Sequence, residues 1–122
     1  MDFKTNKPIY MQIVDFCFRN ILTGEWQEEG RIPSVRELGT ILQVNPNTAM
    51  RAFEYMQSEN VIYPKRGMGY YVAENAREEI AKLQKEDFFN EVLPETFKAM
   101  DLLGISIEEV AERYKQFKKV RK

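Results

Sequence analysis

Between positions 34 and 49 the chain reads Ser34-Val35-Arg36-Glu37-Leu38-Gly39-Thr40-Ile41-Leu42-Gln43-Val44-Asn45-Pro46-Asn47-Thr48-Ala49. Two helix starts lie in this stretch. Ser34 and Glu37 have the spacing of a capping box, in which the serine hydroxyl accepts from the Glu37 N–H while the carboxylate reaches back. Leu38, Ile41 and Leu42 then give the apolar stripe of a helix ending near Leu42. After Gln43-Val44-Asn45 a second helix begins at once, with Asn45 as N-cap and Pro46 as a first helical residue. It is expected to run to about Glu59, turning Ala49, Ala52, Phe53 and Met56 inward. Two short helices joined by so tight a turn form a helix-turn-helix.

Outward from this pair, the N-terminal side carries Tyr10, Ile13, Val14, Cys17, Ile21 and Leu22 at helical spacing. A helix from about Pro8 to Thr23 follows, with Gly24 suited to a left-handed stop. Glu25 to Pro33 reads as a connector, with Trp26 a lid on the core and Cys17 a small buried hydrophobe. On the C-terminal side the period changes. Val61-Ile62-Tyr63-Pro64-Lys65 and Tyr70-Tyr71-Val72-Ala73 flank Arg66-Gly67-Met68-Gly69, which predicts a β-hairpin with a basic, glycine-containing tip, a wing. From Glu74 long helical patterns take over. The segment from Ala76 to about Leu103 contains Pro94, where a kink or break is expected. Gly104 marks a stop, and Ser106-Ile107-Glu108-Glu109 opens a last helix with a second capping box. The fold expected is mainly α with a small β-hairpin: residues 1–73 a winged helix-turn-helix domain, residues 74–122 a short α-helical dimerisation segment.

Composition narrows the function. The 122 residues include one cysteine and no histidine, which excludes an intrachain disulfide, a His/Cys zinc site and histidine acid–base catalysis. No nucleophile–base pair, metal cluster or phosphate loop appears, so neither an enzyme nor a metal or cofactor site is expected. No run approaches the roughly 20 apolar residues of a membrane span, and Met1 to Pro8 lacks a signal-peptide pattern. A cytoplasmic protein without membrane contact is expected. The net charge is −1, and residues 1–73 hold 8 basic and 8 acidic side chains, so charge alone does not point to nucleic acid. Its placement does: Arg36, Arg51, Lys65 and Arg66, half of those 8 cations, fall on the helix starts and the wing.

The first 73 residues resemble the GntR family of bacterial transcription regulators. The resemblance is carried by Pro8-Ile9-Tyr10-Met11-Gln12-Ile13, Gly24, Ile32-Pro33-Ser34-Val35-Arg36-Glu37-Leu38, Val44-Asn45-Pro46-Asn47-Thr48, Arg51-Ala52-Phe53 and Gly67-Met68-Gly69-Tyr70-Tyr71-Val72, in that order. Only 49 residues follow the wing, too few for a metabolite-binding or aminotransferase-like domain. That length, with the Val44-Asn45-Pro46-Asn47-Thr48 turn, is similar to the small YtrA-type subfamily, whose C-terminal helices serve dimerisation. The resemblance implies a repressor of a transporter operon, with double-stranded DNA and a second copy as partners and no expected small-molecule effector. Many members carry arginine where this chain has Pro46 and Met50, and alanine where it has Gly39, a change expected to loosen that helix by up to about 1 kcal/mol.

In this reading the helix from Pro46 enters the major groove. Asn47 and Arg51, four apart on one face, either read bases, asparagine suiting adenine and arginine guanine, or serve as a cap and a phosphate or neighbour contact. Ser34 and Arg36 sit at a helix N-terminus, and the resemblance implies that Arg36 contacts DNA. Thr48 is assigned either a phosphate or a local hydrogen bond. Lys65, Arg66, Gly67 and Gly69 form a cationic tip for the minor groove or its phosphates, the alternative being an ordinary solvated hairpin with two charges. Phe88, Phe89, Val92, Leu93, Phe97, Leu102, Leu103, Tyr114 and Phe117 are too many apolar groups for two thin helices to hide, so pairing across a two-fold axis on an inverted repeat is expected, the alternatives being helices folded back on their own winged domain or an aromatic pocket between them for a small effector. The competing reading is a winged-helix protein-interaction module without specific DNA binding, toward which Met50 and Met68 lean.

Overall fold

Helix α1, Ile9–Thr23, starts where the Pro8 carbonyl accepts the N–H groups of Met11 and Gln12, at 3.1 and 3.2 Å. The structure is a computed structural model that describes residues 7–121. Pro8 stands just outside α1 as its cap, and Gly24 closes it in the left-handed region at φ 88°, a conformation glycine adopts without strain. Helix α2, Val35–Leu42, carries the full capping box: Glu37 N–H donates to Ser34 Oγ at 3.1 Å and Ser34 N–H donates to Glu37 Oε1 at 2.8 Å. Helix α3, Pro46–Ser58, follows with Asn45 Oδ1 accepting from Asn47 N–H at 2.7 Å. Strands β1, Ile62–Lys65, and β2, Gly69–Val72, pair antiparallel with Ile62 opposite Val72 and Lys65 opposite Gly69.

Contacts divide the chain into two units, with the boundary between Lys82 and Leu83. In the first, α1 and α2 pack on α3, and Ile13, Val14, Cys17, Leu38, Ala49, Ala52, Phe53 and Met56 are fully buried. Burial pushes the Cys17 thiol up to about 12. Leu22 and Ile41, expected inside, are exposed instead: each lies at the edge of its stripe. The connector does more than span a gap. Arg31 bridges to Tyr71, and Ile32 N–H donates to the Tyr70 carbonyl at 3.0 Å, so residues 29–32 cover the free edge of β2. Trp26 meets Phe16 edge-on, with centroids 6.3 Å apart.

Gly39 has a packing reason. A Cβ there would lie 3.2 Å from the Val44 carbonyl oxygen, because the turn folds back until Val44 N–H bonds the Gly39 carbonyl at 2.9 Å. Lacking a Cβ, the residue lets α2 and α3 close on each other.

Helix α4, Ala76–Asp87, buries Ala76 and Ile80, and Arg77 Nε donates to the Ile21 carbonyl at 3.4 Å. The first unit therefore extends past the division expected after Ala73. In the second unit a π-helical turn, Phe88–Val92, leads into α5, Leu93–Leu103. Of the kink or break expected at Pro94, the break does not occur: α4, the π turn and α5 follow one another without a gap. The missing N–H and the ring of the proline disturb the turn before it, which widens so that Leu93 N–H bonds the Phe88 carbonyl, one residue further than an α-helix reaches. Gly104 ends α5 in the left-handed region, and α6, Ile107–Val120, opens with the Ser106–Glu109 capping box.

Candidate nucleic-acid interface

The exposed side of α3 begins with Asn47 and Arg51, opposite the buried Ala49, Ala52, Phe53 and Met56, with the half-buried Thr48 at its edge. The expected alternatives for these residues narrow. The cap is Asn45, whose side chain holds the Asn47 N–H, so the Asn47 amide is left at the surface without a capping task. Arg51 does not pair with a carboxylate among the described residues; its guanidinium carbon lies over the ring of Tyr10, 4.1 Å from the centroid. Pro8, Ile9, Tyr10, Asn47, Thr48 and Arg51 together line an open hollow of about 390 Å³. The first turn of α1 is thus a wall of the same surface as the first turns of α3. Tyr10 had a core role in the helical periodicity, and its exposed edge is set by the α1–α3 packing.

At α2 the two expected residues divide. Ser34 spends its hydroxyl oxygen on the capping box, and its two hydrogen bonds hold the Glu37 carboxyl below the usual range, the backbone bond contributing most. Arg36 is exposed in the first helical turn, where a cation gains nothing from the helix dipole. Its position is therefore not explained by helix stability.

The wing turns through Arg66 and Gly67, closed by the Met68 N–H on the Lys65 carbonyl at 2.8 Å. Gly67, at φ 74°, takes the left-handed position of the turn, and the space where its Cβ would point is open. Lys65 Nζ lies 4.1 Å from the centre of the Tyr71 ring, and Tyr71 stacks on Tyr63, whose hydroxyl donates to Glu29 Oε1 at 3.0 Å. Burial and that acidic neighbour raise the Tyr63 phenol above its ordinary range. Gly69 admits a further cation: Arg31 Nε lies 3.3 Å from the place its Cβ would take. Arg31 thus joins Lys65 and Arg66 at the wing. The signal available in sequence was one more arginine in the connector, without a partner strand to place it.

In the second unit Phe88, Phe89, Val92, Phe97, Leu102, Leu103, Tyr114 and Phe117 are exposed, and Leu93 is half-buried. Phe88 and Phe89 meet edge-on at 5.4 Å. Among the described residues no group of three or more histidine, cysteine, aspartate or glutamate side chains is placed to hold a metal, and no helix is long and apolar enough to cross a membrane.

Comparison with known proteins identifies a family. Residues 9–72 match the model for the bacterial regulatory proteins of the gntR family. The chain is 37% identical over 115 residues to the HTH-type transcriptional regulator YhcF of Bacillus subtilis, covering 94% of this chain and 93% of that one. It is 32% identical to the HTH-type transcriptional repressor YtrA of the same organism, over 95% of this chain and 88% of the other. Among solved structures, a chain from Bacteroides thetaiotaomicron assigned to the GntR family superposes with a TM-score of 0.82 at 45% identity, covering 94% of this chain and all (100%) of that one. The DNA-binding domain of AraR, solved on its operator, superposes with a TM-score of 0.54 at 25% identity, over 60% of this chain and 88% of that one.

Proposed function

Because the chain belongs to the GntR family, whose members are DNA-binding regulators of transcription and not enzymes, we propose that it acts as a repressor that binds an inverted-repeat operator as a homodimer. The observation that carries this reading is the polar start of α3, with Asn47 and Arg51 exposed and Thr48 half-buried beside them, in a unit whose wing gathers Arg31, Lys65 and Arg66. In this reading Asn47 and Arg51 read base edges, Thr48 and Arg36 contact phosphates, and the wing follows the minor groove with Lys65, Arg66 and the backbone of Gly67 and Gly69. Ser34 acts through α2, by fixing its first turn. The operator-bound AraR domain supports DNA contact by this fold, and the likeness to YtrA supports repression. Resemblance to the YtrA-type subfamily is what supports a transporter operon as the target.

Homodimerisation rests on the uncovered apolar side chains of α5 and α6. Two copies would bury them and give two reading heads related by a two-fold axis, which an inverted repeat matches.

The test is binding to a duplex that the chain selects from a random pool, titrated at two salt concentrations. An inverted repeat, bound more weakly at higher salt, is the expected outcome. Arg51→Ala should lose about ten- to a hundredfold of the preference for that duplex over a scrambled one. Failure to select any sequence would overturn the reading and favour a protein partner at Met50 and Met68, which are both exposed beside the cations.

A further inference from the structure

We propose that Tyr10 is a positioning residue for sequence reading: its ring sets the Arg51 guanidinium in the orientation that meets a guanine edge. The proposal rests on the reading that α3 contacts bases. An exposed arginine on a long stem populates many rotamers, and contact with a base must select one of them. Tyr10 performs that selection in the free protein, with the Arg51 guanidinium carbon 4.1 Å from its ring centroid.

The kind of contact matters as much as its presence. A carboxylate partner would occupy the N–H fork that guanine needs. The π surface of a ring attracts the guanidinium without offering a carboxylate's paired lone pairs to that fork, so the N–H donors stay available for O6 and N7. Arg51 is therefore held without being used up.

The ring itself is fixed. Tyr10 is half-buried in the first turn of α1, which the Pro8 carbonyl closes through Met11 and Gln12, and the Gln12 side chain bonds the Lys7 carbonyl at 2.9 Å. One turn on, Ile13 and Val14, and two turns on, Cys17, are buried in the core shared with α3. The hollow that holds this contact is also lined by Asn47 and Thr48, so Tyr10 stands beside all three polar residues of the α3 start. No hydroxyl is required for this task, so phenylalanine should replace tyrosine and leucine should not.

The experiment compares wild type, Tyr10→Phe, Tyr10→Leu, Arg51→Ala and the Tyr10→Leu/Arg51→Ala pair. The readout is the affinity ratio for a duplex selected by the wild type against a scrambled duplex of equal length. Tyr10→Leu should lower that ratio about three- to fivefold, and Tyr10→Phe should hold it within about twofold. In the pair, leucine should add nothing to the loss caused by Arg51→Ala. A loss of equal size on both duplexes, or a leucine effect that persists in full without Arg51, would overturn the positioning role and leave Tyr10 as packing. Unchanged selectivity in Arg51→Ala would overturn base reading by Arg51, and the Tyr10 role with it. A second measurement does not depend on the leucine variant folding: in the free wild type the Arg51 Nε–H proton should be displaced by the ring current. An undisplaced resonance would also overturn the proposal.

Discussion

The two units use the same local grammar to different ends. Each contains a Ser-x-x-Glu capping box with both hydrogen bonds made, Ser34–Glu37 in the first and Ser106–Glu109 in the second. Each has a helix closed by a left-handed glycine, Gly24 and Gly104. Yet every buried apolar side chain lies at or before Ile80, and none of the described residues from Leu83 onward is buried. Capping and periodicity make helices; only mutual burial makes a unit that stands by itself. Helices α5 and α6 are well-formed amphipathic segments that lack a counterpart, whereas α1, α2 and α3 supply one another's.

The largest effect should come from breaking the first unit's core. Phe53→Ala removes a fully buried ring that also meets Tyr70 edge-on at 5.0 Å, and should cost about 3–5 kcal/mol in denaturant unfolding. The same truncation at the exposed Phe117 should leave that transition within about 0.5 kcal/mol. A comparable loss at both sites would mean that the contrast between the units does not hold.

A second experiment asks what covers the second unit. Phe97→Lys puts a charge among the exposed apolar groups of α5. Sedimentation should then show a shift from dimer to monomer, and affinity for the selected duplex should fall on the order of a hundredfold as the two heads cease to act together. The unfolding of the first unit should be unaffected. A variant that remains dimeric would place the pairing surface elsewhere.

The smallest effect sharpens the comparison of the capping boxes. Hydrogen bonds from Ser34 keep Glu37 ionised below the usual carboxylate range. A folded-state pKa lowered in this way contributes stability at neutral pH that is lost as pH falls through the lowered value. Denaturant midpoints of the first unit should therefore decline on acidification, and Glu37→Gln should decline less. An identical acid response in both would show that Glu37 carries none of it.

Much of this architecture was legible because its signals are local. Gly24, Ser34, Glu37, Asn45 and Pro46 mark boundaries through the geometry of one turn each, and the buried face of α3 follows from its period. The features that escaped depend on neighbours remote in sequence. Residues 29–32 show no strand alternation of their own; they follow β2 because its free edge holds them through backbone hydrogen bonds. Ala76 and Ile80 belong by period to the C-terminal helices and by packing to the first unit. Gly39 looks like a weakness of α2 until the Val44 carbonyl is seen against it. At Pro94 the local effect of proline predicts a kink or break, whereas the helix takes up the disturbance in the preceding turn. For the candidate interface, period exposed Arg51 but not its ring partner, and composition recorded Arg31 without its place at the wing.

Cys17 has a practical consequence. It is the chain's single cysteine, fully buried, with a thiol pushed up to about 12, so the reactive thiolate is scarce at neutral pH. The native chain is thus a ready background for site-directed labelling. A cysteine introduced at the exposed wing-tip position of Met68 would be the one that a maleimide dye or spin label finds. The wing could then be watched as it meets a duplex, with no native cysteine removed to make the measurement.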